Sequence, residues 1–591
     1  MIQIFSTLIW PLASTVKRKI SKEENYHSFF FTTNSVVLFT SMAFCGLCLF
    51  VGCSKKSSNP PPPPPPPVAM NSTLIRINNQ PASGSANYNI NTTPAIKFSF
   101  SAPVDRTSVN SNVSFRENSG TVVSYSIGYE NADSSIVIQS TLPLKNLTKY
   151  ILDVTTGLKS DAGRNLSSAI NLSFITRIDS SRKFPLISDN ALFDLVQQQT
   201  FKYFWDFAHP VSGLARERNT SGDIVTSGGS GFGIMAIVTA IHRGFITRSQ
   251  GVTRMQTIVS FLKNTAQKFH GAFPHWLNGA TGVVVPFSTK DNGADLVETS
   301  YLIQGLLTAR QYFDGADAAE TSIRNDINTI SNGVEWSWFR QNNQNVLYWH
   351  WSPTYNWDMN HQIKGWNECL ITYVLAASST TYTIPKIVYD NGWASNGGMI
   401  NNSSYYGIQL PLGPAYGGPL FFAHYSFLGI NPNGLTDAYA NYFTQNRNHT
   451  LINYNYCITN PNKFYGYSDS CWGLTASDIP SGYTASSPTN DVSVIAPTAA
   501  ISSFPYTPVE SMKALKFFYY VLGDKLWKEY GFIDAFSLHE PWFANSFLAI
   551  DQGPIIIMLE NYRSGLLWNL FTSCPEVKAG MLKLGFSAPY L

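Results

Sequence analysis

The sequence predicts a mainly α-helical protein, in which a toroid of six helix pairs follows a small all-β sandwich of the immunoglobulin-like type. Three observations lead to this prediction. Residues 71–177 alternate apolar and polar positions in short runs, and residues 188–591 follow the helical period of 3.6. About a dozen helical segments in the second part are separated by long loops rich in glycine, proline and aromatic residues. With 591 residues, the chain is long enough for a leader and two domains.

Residues 1–52 have the order of a secretory signal peptide. Four basic residues precede the apolar run SVVLFTSMAFCGLCLFVG, which ends at Cys53. The ending FVGC resembles a bacterial lipobox, so Cys53 is expected to carry lipid; the alternative is an uncleaved membrane helix, because 18 apolar residues are just enough to span a bilayer. Residues 53–70 form a linker whose prolines, Pro60–Pro67, favour a stiff polyproline II spacer. We expect a protein anchored by lipid in the bacterial cell envelope, on the periplasmic face or at the cell surface.

The segment 71–177 is predicted to form about seven short strands. The runs AIKFSFSAPVD, SIVIQST, KYILDVTTG and INLSFIT alternate in polarity, and Asn, Gly, Ser and Asp separate them. Strands of this number and length are typical of an immunoglobulin-like sandwich. No cluster of titratable residues stands out, so we expect a spacer or accessory role, with weak carbohydrate binding as the alternative.

From Asp189 onwards the apolar period becomes helical, and Asp189 itself can cap the first helix. Further helical segments are predicted at 232–243, 251–268, 294–313, 317–332, 361–378, 418–428, 435–447, 492–502, 508–522, 553–572 and 575–584. In a toroid the inner helices bring their loops together at one end and form a broad pocket. A two-layer helical solenoid is the alternative, although the sequence shows no repeat of fixed period.

The composition restricts the class of ligand. Charged residues make up 13% of the chain, against about 25% in an average protein, and aromatic residues make up 14%. Without residues 1–52 the chain has 36 basic and 35 acidic side chains and no basic run, which excludes a nucleic-acid partner. Exposed aromatic and amide groups suit neutral, hydroxyl-rich ligands instead.

Four cysteines follow the leader and its anchor, and their spacing fits no metal site. They are Cys369, Cys457, Cys471 and Cys574. A disulfide between Cys457 and Cys471 and buried free thiols remain equal alternatives.

The stretch YFWDFAHPVSGLARERN, residues 203–219, combines aromatic residues with charges. The first helix is expected to stop near Pro210, because proline disfavours helix in the residue before it. The charged residues then lie at the helix end and in the loop; they are Asp206, Arg216, Glu217 and Arg218. Arginine on either side would keep Glu217 ionised. The stretch is either a solvated cluster of ion pairs or the rim of a pocket.

In DNGADLVETSYLIQGLL the acidic residues Asp295 and Glu298 are three positions apart, on one side of the first turn of a buried helix. They are either catalytic or favourable to the helix dipole. The glycine-rich run GGSGFG, residues 228–233, lacks the spacing of a dinucleotide-binding loop, but its amides could serve a ligand.

Two later segments place tryptophan next to polar residues. The first, LYWHWSPTYNWDMNHQIKGWNE, contains Trp349, His361, Trp366 and Glu368. Indole rings pack on the C–H faces of sugars, so ligand contact is the hypothesis and core packing the alternative. The second contains Trp472, with Asp478 in a predicted loop, and LHEPWFANSFLAIDQGP near the end of the chain contains Trp542. Asp491 and Asp551 are interpreted as helix caps.

These motifs together resemble a known family. YFWDFAHPVSGLARERN, GSGFGIMAIVTAIHRGF, DNGADLVETSYLIQGLL, SDSCWGLTASD and AIDQGPIIIMLENYRSGLLW follow the order found in the glycoamylase-like proteins, and most of all in glycoside hydrolase family 144. The resemblance covers residues 188–590. It implies an (α/α)6 barrel and inverting hydrolysis of β-1,2-glucan, either within the chain or by release of sophorose from chain ends.

The resemblance also implies roles for particular residues. Glu298 is the expected general acid, and Glu217 and Asp478 are the candidates for the base. The expected sugar contacts are Asp206, Arg216, Trp276, Trp349, His361, Trp366, Glu368, Trp472 and Trp542. No metal or cofactor is required, and we expect a monomer. The alternatives are a glucoamylase-like exo-α-glucosidase on the same fold and a non-catalytic glycan-binding lipoprotein.

Overall fold

A computed structural model describes residues 69–84 and 87–591, which form an all-β domain followed by a helical domain. The predicted signal peptide, Cys53 and the proline tract lie outside the described residues. None of the helices in the described part of the chain combines the length and the apolar composition needed to span a bilayer. The prediction of a mainly helical protein preceded by a small all-β domain is confirmed.

The all-β domain consists of two sheets packed face to face. Its strands are β1 (Ser72–Ile77), β2 (Gln80–Pro81), β3 (Asn87–Ile90), β4 (Ala95–Phe100), β5 (Val113–Glu117), β6 (Tyr125–Glu130), β7 (Ser135–Ser140), β8 (Lys149–Val154) and β9 (Ile170–Thr176), with one short helix, α1 (Arg106–Val109). The sheet orders are β2-β1-β4-β7-β6 and β3-β9-β8-β5, and only β3 and β9 run parallel among these pairs. Alternate residues of β4, namely Ile96, Phe98 and Phe100, are buried between the sheets, as the sequence pattern predicts.

This sandwich packs directly on the helical domain. The Tyr88 ring in β3 stacks on His539 and Tyr465, with centroid distances of 4.7 and 5.3 Å, and the Tyr88 hydroxyl lies 2.9 Å from His539 Nε2. The apolar side chains of Leu147 and Ile175 join the apolar core of the helical domain. The two domains therefore share a packed interface.

The helical domain contains fourteen α-helices within the described residues. They are α2 (Asp189–Trp205), α3 (Ser227–His242), α4 (Arg248–Asn264), α5 (Leu296–Tyr312), α6 (Ala318–Asn332), α7 (Leu370–Ser378), α8 (Lys386–Val388), α9 (Tyr442–Thr459), α10 (Pro497–Ile501), α11 (Pro508–Lys516), α12 (Gly523–Leu526), α13 (Ala549–Ser564), α14 (Leu566–Thr572) and α15 (Pro575–Leu584). Short 3-10 turns and two π-helical turns interrupt the loops.

The long helices form two layers. Helices α3, α5, α7 and α13 are buried on all sides over most of their length, whereas α2, α4, α6, α11 and α15 bury one face. In the inner layer α3 packs against both α5 and α13, and outer helices cover them. The core of the domain therefore lies around α3.

Glycine residues allow α3 and α5 to approach closely. A Cβ atom at Gly231 would lie 2.1 Å from the carbonyl oxygen of Tyr301, and one at Gly305 would lie 2.1 Å from the carbonyl oxygen of Gly231. A Cβ atom at Gly228 would lie 2.4 Å from the Glu298 carboxyl. The sequence run GGSGFG therefore serves helix packing.

Short strands of two to four residues lie between the helices of this domain. They are β10 (Ile224–Thr226), β11 (Trp276–Asn278), β12 (Val284–Val285), β13 (Ala294–Asp295), β14 (His350–Trp351), β15 (Ser404–Tyr405), β16 (Ile408–Gln409), β17 (Ala476–Ile479), β18 (Gly482–Ala485), β19 (Trp527–Lys528), β20 (Gly531–Phe532), β21 (Phe536–Ser537) and β22 (Trp542–Phe543). Strand β10 leads directly into α3 and β13 into α5. The amide of Ala549, which begins α13, donates to the Glu217 carbonyl at 3.0 Å. The first turns of α3, α5 and α13 therefore lie at the same edge.

Several predicted helices have different bounds. The segment 361–378 is helical only from Leu370, because residues before it pair in extended form, with Trp349 N–H donating to the His361 carbonyl at 2.9 Å. The segment 418–428 forms only 3-10 turns, and α9 begins at Tyr442, beyond the predicted start of 435. Asp478, predicted in a loop, lies in β17.

Helix α9 lacks the apolar stripe that a helix usually shows, because many side chains on its buried face are polar. Its side chains bond to loop backbones: Gln445 exchanges hydrogen bonds with Leu412, and Asn453 exchanges them with Leu474.

The four cysteines of the described residues are buried free thiols, so Cys457 and Cys471 form no disulfide.

Replacing Gly305 with alanine should destabilise the helical domain. Alanine is favoured in a helix by about 1 kcal/mol, but the added methyl would overlap a backbone oxygen that cannot rotate away, so we expect a net loss of about 1–3 kcal/mol in the free energy of unfolding. Chemical denaturation measures the loss. Gly128→Ala is the control, because its Cβ atom would have its nearest neighbour at 3.8 Å. An unchanged unfolding midpoint for Gly305→Ala would contradict the close approach of α3 and α5.

Candidate active site

Glu298 lies in the first turn of α5. Asp295 caps this helix, because its Oδ1 accepts the N–H groups of Val297 at 3.0 Å and Glu298 at 2.9 Å. The Glu298 carboxyl extends to the start of α3, where its Oε2 accepts the N–H of Gly228 at 2.8 Å and the hydroxyl of Thr226 at 3.3 Å. Only 8% of Glu298 is exposed, so its carboxyl has little contact with solvent.

This environment favours the protonated form of Glu298. Burial raises the pKa of Glu298, and the negative charge of Asp295 acts in the same direction. The charge of His275 and the hydrogen bonds from Gly228 and Thr226 lower the pKa without reversing the effect. Glu298 therefore keeps its proton at pH values at which an exposed glutamate is ionised.

Two histidines and two aspartates adjoin Glu298. His275 Nδ1 lies 3.0 Å from Asp295 Oδ2, and His350 Nε2 lies 3.5 Å from Asp291 Oδ2 and 3.7 Å from Asp295 Oδ2. Burial opposes a charge on His275, but the carboxyl groups of Glu298, Asp295 and Asp291 outweigh it and raise the pKa of His275 to about 10. His275 is therefore a cation at neutral pH.

The pKa values of the other members of the cluster are also shifted. Burial raises the pKa of Asp295, but the hydrogen bond from His275 and the positive charges nearby reverse this and lower it overall. Burial and the charge of Asp295 raise the pKa of Asp291 to about 7, and burial lowers the pKa of His350 to about 4. The cluster therefore centres on an ionised pair, His275 and Asp295.

This cluster is also where a metal ion could be held. Among the described residues, only His275, Asp291 and Asp295 offer three ligand atoms within 4.8 Å of one another. However, Asp295 already accepts two helix amides, and a metal would have to replace the proton of His275. The hydrogen bonds of the cluster account for its charges without an ion.

Arg218 joins a second group of carboxylates. Its Nε donates to both carboxyl oxygens of Glu217 at 3.1 and 3.0 Å, and its Nη1 donates to both oxygens of Asp478 at 3.3 Å. The Ser546 hydroxyl donates to Asp478 Oδ2 at 2.5 Å. Burial lowers the pKa of Arg218, but the two carboxylates raise it overall. The side chains of Glu217 and Asp478 remain 16% and 15% exposed, so both reach solvent.

Strand pairing relates the two groups. The residues 215–217 pair with β10, so that Thr226 N–H donates to the Ala215 carbonyl and Glu217 N–H to the Ile224 carbonyl, both at 3.1 Å. Ala215 and Glu217 therefore face the same side as Thr226, whose hydroxyl bonds to Glu298. The pairing therefore brings Glu217 and the hydroxyl that contacts Glu298 to one face of the paired strands.

Aromatic side chains surround this edge. Trp349 is half-buried and stacks on the exposed His361, with a centroid distance of 4.9 Å. Trp276, at the start of β11, contacts Phe287 at 4.8 Å. Trp542 in β22 is half-buried, as is Glu368, where burial and the charges of Glu298 and Asp295 raise the pKa to about 7.

Two predicted sugar contacts are wrong. Trp472 has no exposed surface, and its Nε1 donates to the Glu510 carbonyl at 3.3 Å. Trp366 is 5% exposed and packs against Trp393 and Phe427. A ring enclosed by protein cannot stack on a sugar, so both tryptophans belong to the core.

Arg216 and Asp206 lie apart from the carboxyl groups. The Arg216 guanidinium donates to the carbonyls of Phe207 and Gly222, both at 2.8 Å, and stacks on the Phe207 ring. Side chains alternate along a strand, so Arg216 faces away from the side of Glu217. Asp206 is exposed at the end of α2. Sugar contact by either residue stays a prediction.

Sequence reasoning missed His275, Asp534 and Ser546. His275 precedes a predicted sugar contact in the run FPHWLNG, and Asp534 is the lone charge in the apolar run GFIDAF. An isolated charge in an apolar run is a usable signal, because such a group is buried only with a partner. Ser546 offers no comparable signal.

Two family models match the chain. A model described as "Putative glucoamylase" matches residues 360–575, and a bacterial Ig-like domain matches residues 73–176. The second match includes all nine strands of the sandwich except the first residue of β1.

A curated relative and two solved structures are similar over most of the described chain. The exo beta-1,2-glucooligosaccharide sophorohydrolase (non-reducing end) of Parabacteroides distasonis is 48% identical over 439 residues, which cover 70% of this chain and 60% of the relative. The chain thus spans about 60% of the length of that relative. The endo-β-1,2-glucanase of Chitinophaga pinensis, in complex with sophorotriose and glucose, is 53% identical with a TM-score of 0.67, over 69% of this chain and 100% of that one. The β-1,2-glucanase structure from Parabacteroides distasonis is 39% identical with a TM-score of 0.66, over 88% of this chain and 73% of that one.

Asp295→Asn should lower the pKa of His275, because it removes the charge that stabilises the imidazolium and keeps the shape of the side chain. Histidine NMR titration measures the change, and His424, whose pKa burial lowers to about 3, serves as an internal control. The raised pKa also adds stability that is complete below the ordinary value of 6.5 and is lost as the pH rises toward 10. A His275 that titrates near 6.5 in the wild type would contradict the ion pair.

Proposed function

Since the chain belongs to the glycoamylase family, we propose that its helical domain hydrolyses β-1,2-glucan or β-1,2-gluco-oligosaccharides with inversion at the anomeric carbon. The observation that carries this proposal is the pairing of a buried Glu298, whose pKa is raised, with two partly exposed carboxylates fixed by Arg218. The family relatives named for β-1,2-glucan supply the substrate class. Both a cut within the chain and the release of sophorose from chain ends are consistent with these relatives.

Glu298 acts as the general acid. Burial raises the pKa of Glu298, which favours the protonated form that an acid needs to protonate a leaving oxygen. The C–O bond to the leaving sugar breaks as this proton transfers, and the Gly228 amide and Thr226 hydroxyl then stabilise the carboxylate that remains.

Glu217 or Asp478 acts as the general base. The base removes a proton from a water molecule whose oxygen attacks the anomeric carbon from the opposite face. Inverting enzymes place the acid and the base on opposite faces of the sugar ring, about 6.5–9.5 Å apart, with room for a water molecule between them. Arg218 holds both candidates in place through its hydrogen bonds.

Neutral sugar rings fit the surface that surrounds these groups. Trp276, Trp349 and Trp542 retain exposed area for stacking, and His361 and Glu368 can hydrogen-bond to hydroxyls. The helices form an (α/α)6 barrel in this proposal, as the resemblance of the sequence motifs implies, and its open end carries this site. We assign no metal or cofactor to the reaction.

We also propose that residues 1–52 are a signal peptide and that Cys53 carries the lipid that anchors a monomeric enzyme to the bacterial cell envelope. The charged and apolar order of the leader, the FVGC sequence and the proline tract support this proposal. Labelling with a fatty acid, with Cys53→Ser as the unlabelled control, tests it.

Purified protein should cleave linear β-1,2-glucan, and product chromatography together with NMR of the newly formed anomer tests the function. A ladder of oligosaccharides means an endo enzyme, whereas sophorose alone means an exo enzyme.

Glu298→Gln should lower kcat by about 100-fold or more while oligosaccharide binding is kept. Glu510→Gln is the matched control, because Glu510 also lies in the first turn of a helix, α11. Cleavage of malto-oligosaccharides alone would overturn the proposal in favour of a glucoamylase-like enzyme, and binding without cleavage would favour a glycan-binding protein.

Glu217→Gln and Asp478→Asn separate the two candidates for the base. The variant that lacks the base should lose at least about 100-fold in kcat and should recover turnover with an activated glycosyl fluoride and an added small anion. The other variant loses only an Arg218 contact and should be affected less, without recovery. Equal losses and no recovery in both variants would contradict a direct role for either residue.

A further inference from the structure

Two more carboxyl groups lie behind Asp478 and take no part in the reaction as described. Asp534 follows β20 and is 2% exposed, and Asp551 lies in the first turn of α13 and is 1% exposed. Asp534 Oδ2 accepts the backbone N–H of Asp478 at 2.7 Å. The side chains of Asp534 and Asp551 are neighbours, and the charge of Asp534 raises the pKa of Asp551.

No other donor reaches most of their oxygens. Asp534 Oδ1 and both carboxyl oxygens of Asp551 are buried without a hydrogen bond from any N–H or from any hydroxyl of the described protein. Arg218 is the cation of this region, and its hydrogen bonds go to Glu217 and Asp478. Two adjacent buried carboxylates without a cation cannot both be ionised, so the pair must retain a proton.

The contacts indicate which residue holds that proton. Asp534 accepts a backbone N–H, as an ionised carboxylate does. Asp551 accepts from no donor, although it lies near the start of a helix, and it can satisfy one oxygen only by donating an O–H to Asp534. The pKa directions agree: burial raises the pKa of Asp534 to about 7, and burial together with the charge of Asp534 raises that of Asp551 well above its ordinary value.

We propose that Asp551 is protonated in the working enzyme and donates its hydrogen to Asp534, and that this acid pair is a positioning device for Asp478. Asp534 fixes the backbone of Asp478 through its N–H, while Ser546 and Arg218 fix its carboxyl group. The pair carries one negative charge at most, so β17 is held without a second charge beside the reacting carboxylate. This inference rests on the proposed function of Asp478.

Other ionisable groups face the pair from every side. They are Asp478 in β17, Arg218 and Glu217 before β10, Tyr483 in β18 and Tyr425 in a 3-10 turn. Among them Arg218 lowers and Asp478 raises the pKa values of the pair. The variants below leave all five residues unchanged.

Asp551→Asn and Asp551→Ala test the pair in the full-length protein. Asparagine keeps the size of the side chain and can still donate to Asp534, whereas alanine removes the donor. We expect Asp551→Asn to keep kcat close to the wild-type value, and Asp551→Ala to lose about 100-fold in kcat, the scale of a displaced catalytic group, with little change in KM. Equal losses in both variants would overturn the proposal.

The pH dependence of thermal stability gives a readout that does not require activity. An acid whose pKa is raised by folding costs stability as the pH rises above its unfolded value of 3.8, and the cost grows until the folded pKa is reached. Asp551→Asn removes this ionisation. The difference between the melting temperature of this variant and that of the wild type should therefore become more positive as the pH rises from 5 toward 9. The control Asp326→Asn alters a partly exposed aspartate that is paired with Lys263, and its melting temperature should keep a constant difference from that of the wild type across this pH range.

The two measurements separate failure of this inference from failure of the proposed function. If the wild type cleaves no glucan but Asp551→Asn becomes more stable relative to the wild type as the pH rises, the shared proton is supported and the catalytic assignment of Asp478 is wrong. If the melting curves of Asp551→Asn and wild type stay parallel across the range, Asp551 does not hold the proton. If Asp551→Ala does not fold, the comparison of Asp551→Asn with wild type decides alone.

Discussion

The close contact between α3 and α5 is the constraint on which the rest of the domain depends. Without side chains at Gly228, Gly231 and Gly305, the two backbones approach until carbonyl oxygens occupy the space that a Cβ atom would need. The same approach brings the first amide groups of α3 onto the carboxyl group of Glu298. Packing and acid chemistry therefore share one geometric requirement, and a change that relaxed the helix contact would also move the acid away from its donors.

Protons rather than ion pairs balance much of the buried charge. The chain has few charged residues, and at this edge carboxyl groups outnumber the cations that contact them. Arg218 serves Glu217 and Asp478, and His275 serves Asp295. Burial raises the pKa values of the remaining acids and so favours their protonated forms. As a result, the surroundings of each carboxyl group decide whether it favours the protonated form or the anion.

The sequence indicated the parts of the site that follow from local rules. The spacing of Asp295 and Glu298 predicted a first helical turn with both groups on one side, and the alternation in β4 predicted its buried face. It placed α9 at 435–447 instead of Tyr442–Thr459, because many side chains on the buried face of this helix are polar and leave no continuous apolar stripe. It placed Trp472 on the ligand, since composition does not tell an enclosed indole from an exposed one. His275 and Asp534 could not be assigned, because their roles come from partners far away in the chain.

The interface between the sandwich and the helical domain affects how the molecule would respond to force. Tyr88 contacts His539 in the segment between β21 and β22, and this segment continues to Ser546, which bonds to Asp478. Tension applied at the N-terminal side of the sandwich would thus reach the Asp478 carboxyl group through a short chain of contacts. For evolution by domain exchange, this means that the sandwich is not freely interchangeable: a different module would have to present an aromatic ring at the same point or leave that segment unsupported.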